Sequence, residues 1–530
     1  MASNLVLLSY KPGIQRDGTN FQGDMCSSGQ WVRFQRGKIK KIGGMKAPAL
    51  PAYTNNLIAS DISLFPYNGG IFYYIASNTR ITTGTIDLNF NSTQNNSNPL
   101  NPVQNGANIL WQSEVIIQNN QRIIVFLGPN NAADIAQNTA SSIYYTPIFI
   151  DNFEKLNNAN VGIDPLINGG MVYSNPYLFL YGSNGLVQYS ANNDPLNFVV
   201  NANDPASGGR FNISNDKVIW GRPIRGGSNA PAILFWTLSS VVRVINVGDQ
   251  TVSFKIDVIS TSSSIMSTKC VVEYDGLFFW PGTERFFIYN GVVQEMVNTT
   301  NLNYFYDNID MDFRQKVFGV KNTKYGEIWW FYPEKVGTPG RNNAFAAGTN
   351  TRALIYNVRE NSWYDTAIYR DCGVFSNDLG ILATFGMSLA NPVANTNWLW
   401  RHEYGYTENI QGGDNNAITS SVTTPVFGWS SFNPVNSGTG SRAQPIDRWI
   451  ELRRIEPDFL LNNVEFINVI VNTKVYAQST SILTNPFPFY YNTEKIDMRV
   501  QGRQMSLTFS SDGYFEMGNI MMLLGIGDGQ

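Results

Sequence analysis

Six carboxylates are the first candidates for chemistry: Asp275, Glu284, Glu295, Glu327, Asp365 and Glu403. Glycoside hydrolysis uses two such groups, one as acid and one as base or nucleophile, facing each other across the scissile bond. Here they lie at the turns and ends of apolar runs, where solvated charges belong, and no spacing selects a pair. A Ser–His–Asp or Cys–His mechanism would have to use the one histidine, His402, in NWLWRHEYGY. A strand-end histidine that makes a hydrogen bond is the plainer reading. The three cysteines, Cys26, Cys270 and Cys372, are too few and too widely spaced for a disulfide framework or a zinc site, and read as small buried residues. Their free state suits synthesis in a reducing compartment. GGDNNAITS (412–420) offers one Asp and two Asn, which read as a solvated turn rather than a calcium loop. HExxH, paired CxxC, Walker and dinucleotide-binding motifs are absent. SSDGYFEMG (510–518) approaches the Ser-x-Asp-x-Gly-x-x-Trp turn of sialidase-type proteins, but occurs once and lacks the Trp. The expectation is therefore no catalytic residue, no cofactor, no metal, and no enzyme.

Two further clusters concern binding. GLFFWPGTERFFIYNG (276–291) puts six aromatic residues into sixteen positions. Exposed, those rings with Glu284 and Arg285 could grip a sugar; buried, they would be sheet core. SSGQWVRFQRGKIKKIGG (27–44) carries Arg33, Arg36, Lys38, Lys40 and Lys41 without an acid. It reads as a solvated edge, or as a contact for an acidic partner, more readily than as a phosphate groove.

The elements that must position these residues are strands. Aromatic runs recur: IFYYIA (71–76), RIIVFLG (122–128), YLFLYG (177–182), AILFWT (232–237), GLFFW (276–280), EIWWFY (327–332) and NWLWRH (397–402). Their spacing centres near 50 residues, and most are followed by a turn and a second strand. A strand-built period of that size marks the blades of a β-propeller. Six or seven blades would fit, with the first apolar strand of each unit packed between blades. A stack of sandwiches or a pair of barrels is the competing architecture. The aromatic hairpin 276–291 then becomes one of about seven equivalents, which favours Phe278, Trp280 and Phe287 as core and leaves Glu284 and Arg285 on an exposed turn. The best helical stretch is 302–319, with Asn303 as its cap. The expected organisation is an N-terminal arm (1–50), a propeller (51–415) and a β-sandwich-like C-terminal domain (416–530). Polar stretches at 408–425 and 432–445 read as linkers.

Composition agrees with an all-β chain. Only 15% of the 530 residues are charged, against about 25% in typical domains, while aromatics reach 13%. A surface so poor in charge suits a subunit whose faces are covered. The formal net charge of −3 gives no basic field for nucleic acid. MASNLVLLSYKPG lacks the basic start and long apolar core of a signal peptide, and no run approaches the ~18 apolar residues of a membrane helix. No stable membrane insertion is expected.

Three stretches together resemble one family. They are KPGIQRDGT…WVRFQRGKIKKIGG, then AILFWTLSSVVRVINVGD with CVVEYDGLFFWPGTERFFIYNGVVQEM, and GRQMSLTFSSDG…MGNIMMLLGIGDG. They resemble the tail nozzle, or packaged-DNA stabilisation, proteins of short-tailed phages. The resemblance implies a β-propeller subunit of a homo-oligomeric ring, a hexamer, in the virion tail, made in the host bacterial cytoplasm. Its partners would be the phage adaptor, other tail proteins (fibres, spike or needle) and DNA passing through the channel without sequence preference. The implied function is structural: the ring extends the DNA channel below portal and adaptor and helps retain packaged DNA. The alternative is a carbohydrate-binding or glycosidase propeller that recognises a host receptor. Asn-rich insertions such as FNSTQNNSNPLNPVQNGAN (90–108) depart from the family pattern.

Overall fold

The computed structural model describes residues 4–18, 24–49, 58–78, 80–94, 110–128, 142–150, 152–156, 162–192, 194–224, 232–248, 254–393, 396–428, 449–461, 465–476 and 478–526. It is nearly all β. Six four-stranded antiparallel sheets follow one another along the chain, with strands drawn from 59–94, 112–155, 170–212, 218–260, 272–295 and 318–367. They are called sheets 1 to 6 here. Sheet 7 takes Cys372–Ser376, Ile381–Met387 and Asn397–His402 from the same progression. It then borrows Met45–Ala47 from the N-terminal arm, antiparallel to Asn397–His402, and adds Thr407–Ile410 and Asn415–Ala417.

The arrangement is propeller-like. The first strand of sheet 1 packs beside the first strands of both sheet 2 and sheet 7, so the succession closes on itself. The cores lie between successive sheets. One cluster joins sheets 7 and 1 through Phe385, Leu399 and Tyr73. Others join sheets 1 and 2 through Tyr74 and Phe126, sheets 2 and 3 through Val125 and Leu180, and sheets 3 and 4 through Phe179 and Phe235. Alternation along each strand gives one face to each neighbour, so Tyr73 and Tyr74 serve different cores.

The aromatic runs are the second strands of sheets 1 to 6, not the first: Gly70–Ser77, Gln121–Gly128, Tyr177–Tyr181, Ala232–Thr237, Leu277–Pro281 and Glu327–Pro333. A second strand is flanked on both edges and covered on both faces, so it carries the most apolar load. The seventh run, 397–402, is a third strand; the second strand of sheet 7 is Ile381–Met387. That shift explains why the last step in the sequence period was long.

The C-terminal sheets incorporate the start of the chain. Asn4–Leu8 pairs with Phe515–Ile526, and Lys38–Lys41 pairs with both Val32–Gln35 and Phe515–Ile526. Ser28–Gln30 pairs with Ser420–Thr423 in the second sheet, beside Gln504–Ser511 and Phe466–Lys474. The stretch 408–425, expected as a linker, instead supplies strands to sheet 7 and to this second sheet, because alternate residues such as Ile418 and Val422 find buried places. The other expected linker, 432–445, lies outside the described residues.

The expected helix is shorter and broken. Leu302–Asn308 is α-helical, Met311–Lys316 is a 3₁₀ segment, and Phe318 already opens sheet 6. Asn303 is not its cap. The Asp17 carboxylate of the N-terminal arm accepts hydrogen bonds from the Asn303 and Tyr304 backbone N–H groups at 2.8 and 2.7 Å. A cap supplied from 286 residues away cannot be read from local sequence.

Candidate functional site

The hairpin 276–291 is core. Phe278, Phe279, Trp280 and Phe286 are almost fully buried, and Trp280 packs on Trp236 of sheet 4 and on Phe287. The Trp280 indole N–H donates to Ser264 O at 3.0 Å, so its polar atom is also spoken for. Glu284 and Arg285 are exposed on the turn, and Arg285 meets Glu295 at 3.0 Å with both side chains about half exposed. The aromatic rings are thus not available to stack on a sugar.

The basic cluster is not one patch. Arg33 and Lys41 are buried on opposite faces of the paired strands Val32–Gln35 and Lys38–Lys41, while Arg36 and Lys38 stay exposed and Lys40 pairs with Glu516 at 2.8 Å. Arg33 lies between Glu327 and Glu403, at 2.8 Å from Glu327, and its guanidinium covers the Tyr325 ring at 3.5 Å. Burial alone would lower the guanidinium pKa; the two carboxylates outweigh it and hold Arg33 charged. Glu327 also accepts from Tyr364 at 2.7 Å and Trp329 at 2.9 Å. Burial raises its carboxyl pKa, against the pull of Arg33.

Three of the six candidate carboxylates therefore sit inside, not at solvated turns. Glu327 and Glu403 share Arg33. Asp365 is fully buried between Arg16 (2.9 Å) and Arg352 (2.7 Å), and Arg352 continues to Glu334 at 2.7 Å. Burial raises the Asp365 pKa, but the two guanidiniums outweigh it and hold the carboxyl below its ordinary value. Every oxygen of Glu327 and Asp365 is engaged by these partners, so neither carboxylate is free to act on a substrate. Asp275, Glu284 and Glu295 are exposed.

His402 is buried, its Nε2 at 2.8 Å from Thr384 Oγ1. Arg370 Nε donates to the same hydroxyl at 2.7 Å, so the threonine proton is free to go to the imidazole. Burial, with Arg370 and Arg33 nearby, pushes the imidazole well below its ordinary pKa. A neutral acceptor fixed this way links two paired strands of sheet 7. The three thiols are free and buried, and burial pushes Cys270 up to about 11 and Cys26 up to about 12. GGDNNAITS makes a turn in which Thr407 Oγ1 donates to Asn415 Oδ1 at 2.6 Å. Among the described residues no group of three or more His, Cys, Asp or Glu could hold a metal, and no helix is long and apolar enough to cross a membrane.

Sequence reading missed the axis around which the sheets are set. Ion pairs cross it. Lys269, just before sheet 5, reaches Asp61 of sheet 1 at 2.9 Å. Arg222 of sheet 4 reaches Glu114 of sheet 2 at 3.3 Å, and beside these Lys321 of sheet 6 meets Glu273 of the adjacent sheet 5 at 3.4 Å. A cavity of about 300 Å³ lies among the first strands of sheets 4 to 7, lined by Arg222, Glu273, Lys321 and Phe375. Its charges are already matched inside the chain.

No family model matches the chain, and no curated protein does. Solved structures do. An exo-β-1,3-galactanase from Phanerochaete chrysosporium aligns at 10% identity and TM-score 0.28 over 91% of this chain and all of that one. An ancestral GH74 enzyme aligns at 11% identity and TM-score 0.38 over 71% of this chain, which spans half of the enzyme's length. A mutant of AofleA from Arthrobotrys oligospora aligns at 8% identity and TM-score 0.34 over 60% of this chain and 89% of that one.

Proposed function

We propose that the chain is a non-enzymatic structural subunit, a seven-bladed propeller fused to a sandwich, that assembles into a ring as the tail nozzle of a short-tailed phage. One observation carries this reading. The first and last of the three stretches that resemble the nozzle family, far apart in sequence, meet in space, and the first also reaches the helix and the sheet that follow the second. Lys40 pairs with Glu516 and Ile39 with Met517, joining the first stretch to the last. Arg16 and Arg33 of the first stretch lock onto Asp365 and Glu327 of sheet 6. Asp17 caps the helix that follows the aromatic hairpin of the second. The first and last stretches are thus joints of the molecule, where an architecture rather than a catalytic site would leave its mark.

DNA would not pass along the axis of a single propeller. The ion pairs from Lys269 to Asp61 and from Arg222 to Glu114 bring side chains of non-adjacent sheets together across it. A DNA channel would instead be enclosed by several copies around the axis of the assembly. Light-scattering mass measurement with negative-stain imaging of the purified full chain tests this. The expected result is a closed ring of six with a central opening; a monomer at tens of micromolar would overturn the reading. The alternative, a sugar-binding propeller, loses the hairpin 276–291 as its basis, since those rings are buried.

A further inference from the structure

We propose that the outer face of the C-terminal sandwich carries a binding pocket for neutral saccharides. A cavity of about 320 Å³ opens there, lined by Thr419, Glu465, Phe466, Asn468, Ser510 and Asp512. That volume lies within the range of small-ligand sites. The register of the sheet builds it. Asn468 faces Ser510 across two antiparallel strands, and Phe466, two residues earlier, lies on the same face. Phe466 in turn pairs with Tyr490, their rings 5.5 Å apart. These two rings are 43% and 46% exposed, unlike the buried rings of the propeller hairpins.

The polar groups of this pocket are free in a way that those of the Arg33–Glu327 and Arg16–Asp365–Arg352 ion pairs are not. The side chains of Asn468 and Ser510 make no hydrogen bond among the described residues. Glu465 Oε2 is shielded from solvent without a hydrogen bond, with the Lys41 cation near it. Asp512 Oδ1 accepts from Thr419 at 2.6 Å, which leaves its second oxygen without a hydrogen bond. An unpaired buried carboxylate oxygen costs stability, so a site that keeps one is poised for a donor.

The frame around these groups is rigid. Lys41, buried behind the pocket, donates to Ile418 O at 2.6 Å and to Asp512 O, fixing both turns that frame it. Ser511 Oγ donates to Phe466 O at 2.8 Å, which ties the aromatic to the opposite turn. Gly513 admits Glu465: a Cβ there would lie 2.2 Å from the carboxyl carbon.

The set of groups names the ligand class. Carboxylates, an amide and hydroxyls can bracket the vicinal hydroxyls of a sugar, and an exposed ring can cover the apolar face of a pyranose. Two carboxylates disfavour an acidic sugar. This pocket does not depend on the nozzle reading, since it would serve any protein that must touch a glycan.

The test is saturation-transfer NMR on the full chain with cellotetraose, chitotetraose and mannotetraose at millimolar concentration. At least one should receive magnetisation on its ring protons. Phe466→Ala and Asp512→Ala should each weaken that binding at least tenfold while leaving the thermal transition in place, and Glu284→Ala should leave it unchanged. The milder Asn468→Asp, which keeps the shape and adds a charge, covers the case in which either truncation fails to fold; it too should weaken binding. Absence of transfer to all three sugars, or transfer that survives the substitutions, would overturn the proposal.

Discussion

The ion-pair network that joins the N-terminal arm to sheet 6 and the outer face of the C-terminal sheet treat their charged and polar groups in opposite ways. Inside, Arg33, Glu327, Asp365 and Arg352 have partners for their charges, and the arm supplies Arg33 and Arg16 from distant parts of the chain. Outside, Asn468, Ser510 and one oxygen of Glu465 make no hydrogen bond among the described residues. A charge buried with its counter-charge is costly to assemble and costly to break, so it fixes a geometry. A polar group held in a preformed cavity without a partner stabilises nothing by itself; its use is recognition. Residue types alone do not separate the two cases, since both regions are rich in carboxylates.

The sharpest break of this contrast is Arg33→Met. It leaves Glu327 and Glu403 facing each other without their cation, and losing one partner of a buried pair costs about 3–5 kcal/mol. Urea unfolding should show a midpoint far below that of the native chain. Adding Glu327→Gln should recover part of the loss, because it removes the stranded charge. A loss no greater than that of a surface substitution would mean that the network does not fix the joint. Trp280→Ala is expected to cost a similar amount, roughly 3–5 kcal/mol, through a cavity between sheets 4 and 5.

How much of this was legible depends on distance along the chain. The hairpins were, because the turn at 183–185, with Asn184 and Gly185 at positive φ, sits between two apolar runs that name it. Trp280 could be read as core because similar runs recur. Arg33 could not be read correctly, since its partners lie 294 and 370 residues away, and a local window shows only neighbouring cations. Lys41 is the same case, with acceptors 377 and 471 residues away. The borrowed strand Met45–Ala47 was likewise hidden: three residues carry no period. The sandwich pocket left one local trace, the SSDG turn at 510–513, but its aromatic shelf comes from the register with Tyr490, which sequence does not print.

Protonation offers a smaller and more selective test. The Asp365 carboxyl is held below its ordinary pKa by Arg16 and Arg352, against the effect of burial. A depressed carboxyl contributes stability above its unfolded pKa of about 3.9 and loses it as pH falls through the folded value. Asp365→Asn should therefore be less stable than the native chain at pH 7, with the gap narrowing as pH drops below about 4. Glu327 runs the other way, since burial raises its pKa, so only the difference between the two chains isolates Asp365. Thermal unfolding across pH 2–7 reads this (a range set by that unfolded value). A gap that stayed constant with pH would show that Asp365 acts through shape and not through charge.

The smallest effect marks the other side of the comparison. Glu284 stands on the exposed turn of the same hairpin whose Trp280 is core, and its neighbour Arg285 pairs with Glu295 where both side chains are about half open to water. Exposed ion pairs contribute about 0–1 kcal/mol, and surface substitutions away from special backbone stay within about 0.5 kcal/mol. Glu284→Ala should leave the unfolding midpoint of the isolated chain where it was. The turn gains another use only if copies assemble, because a charge that faces water in one chain can face a neighbour in a ring. A Glu284→Ala chain that keeps its midpoint but loses its ring would place this turn at the contact between subunits. One that keeps both would place it on the open surface, and the difference is read by measuring mass and stability on the same sample.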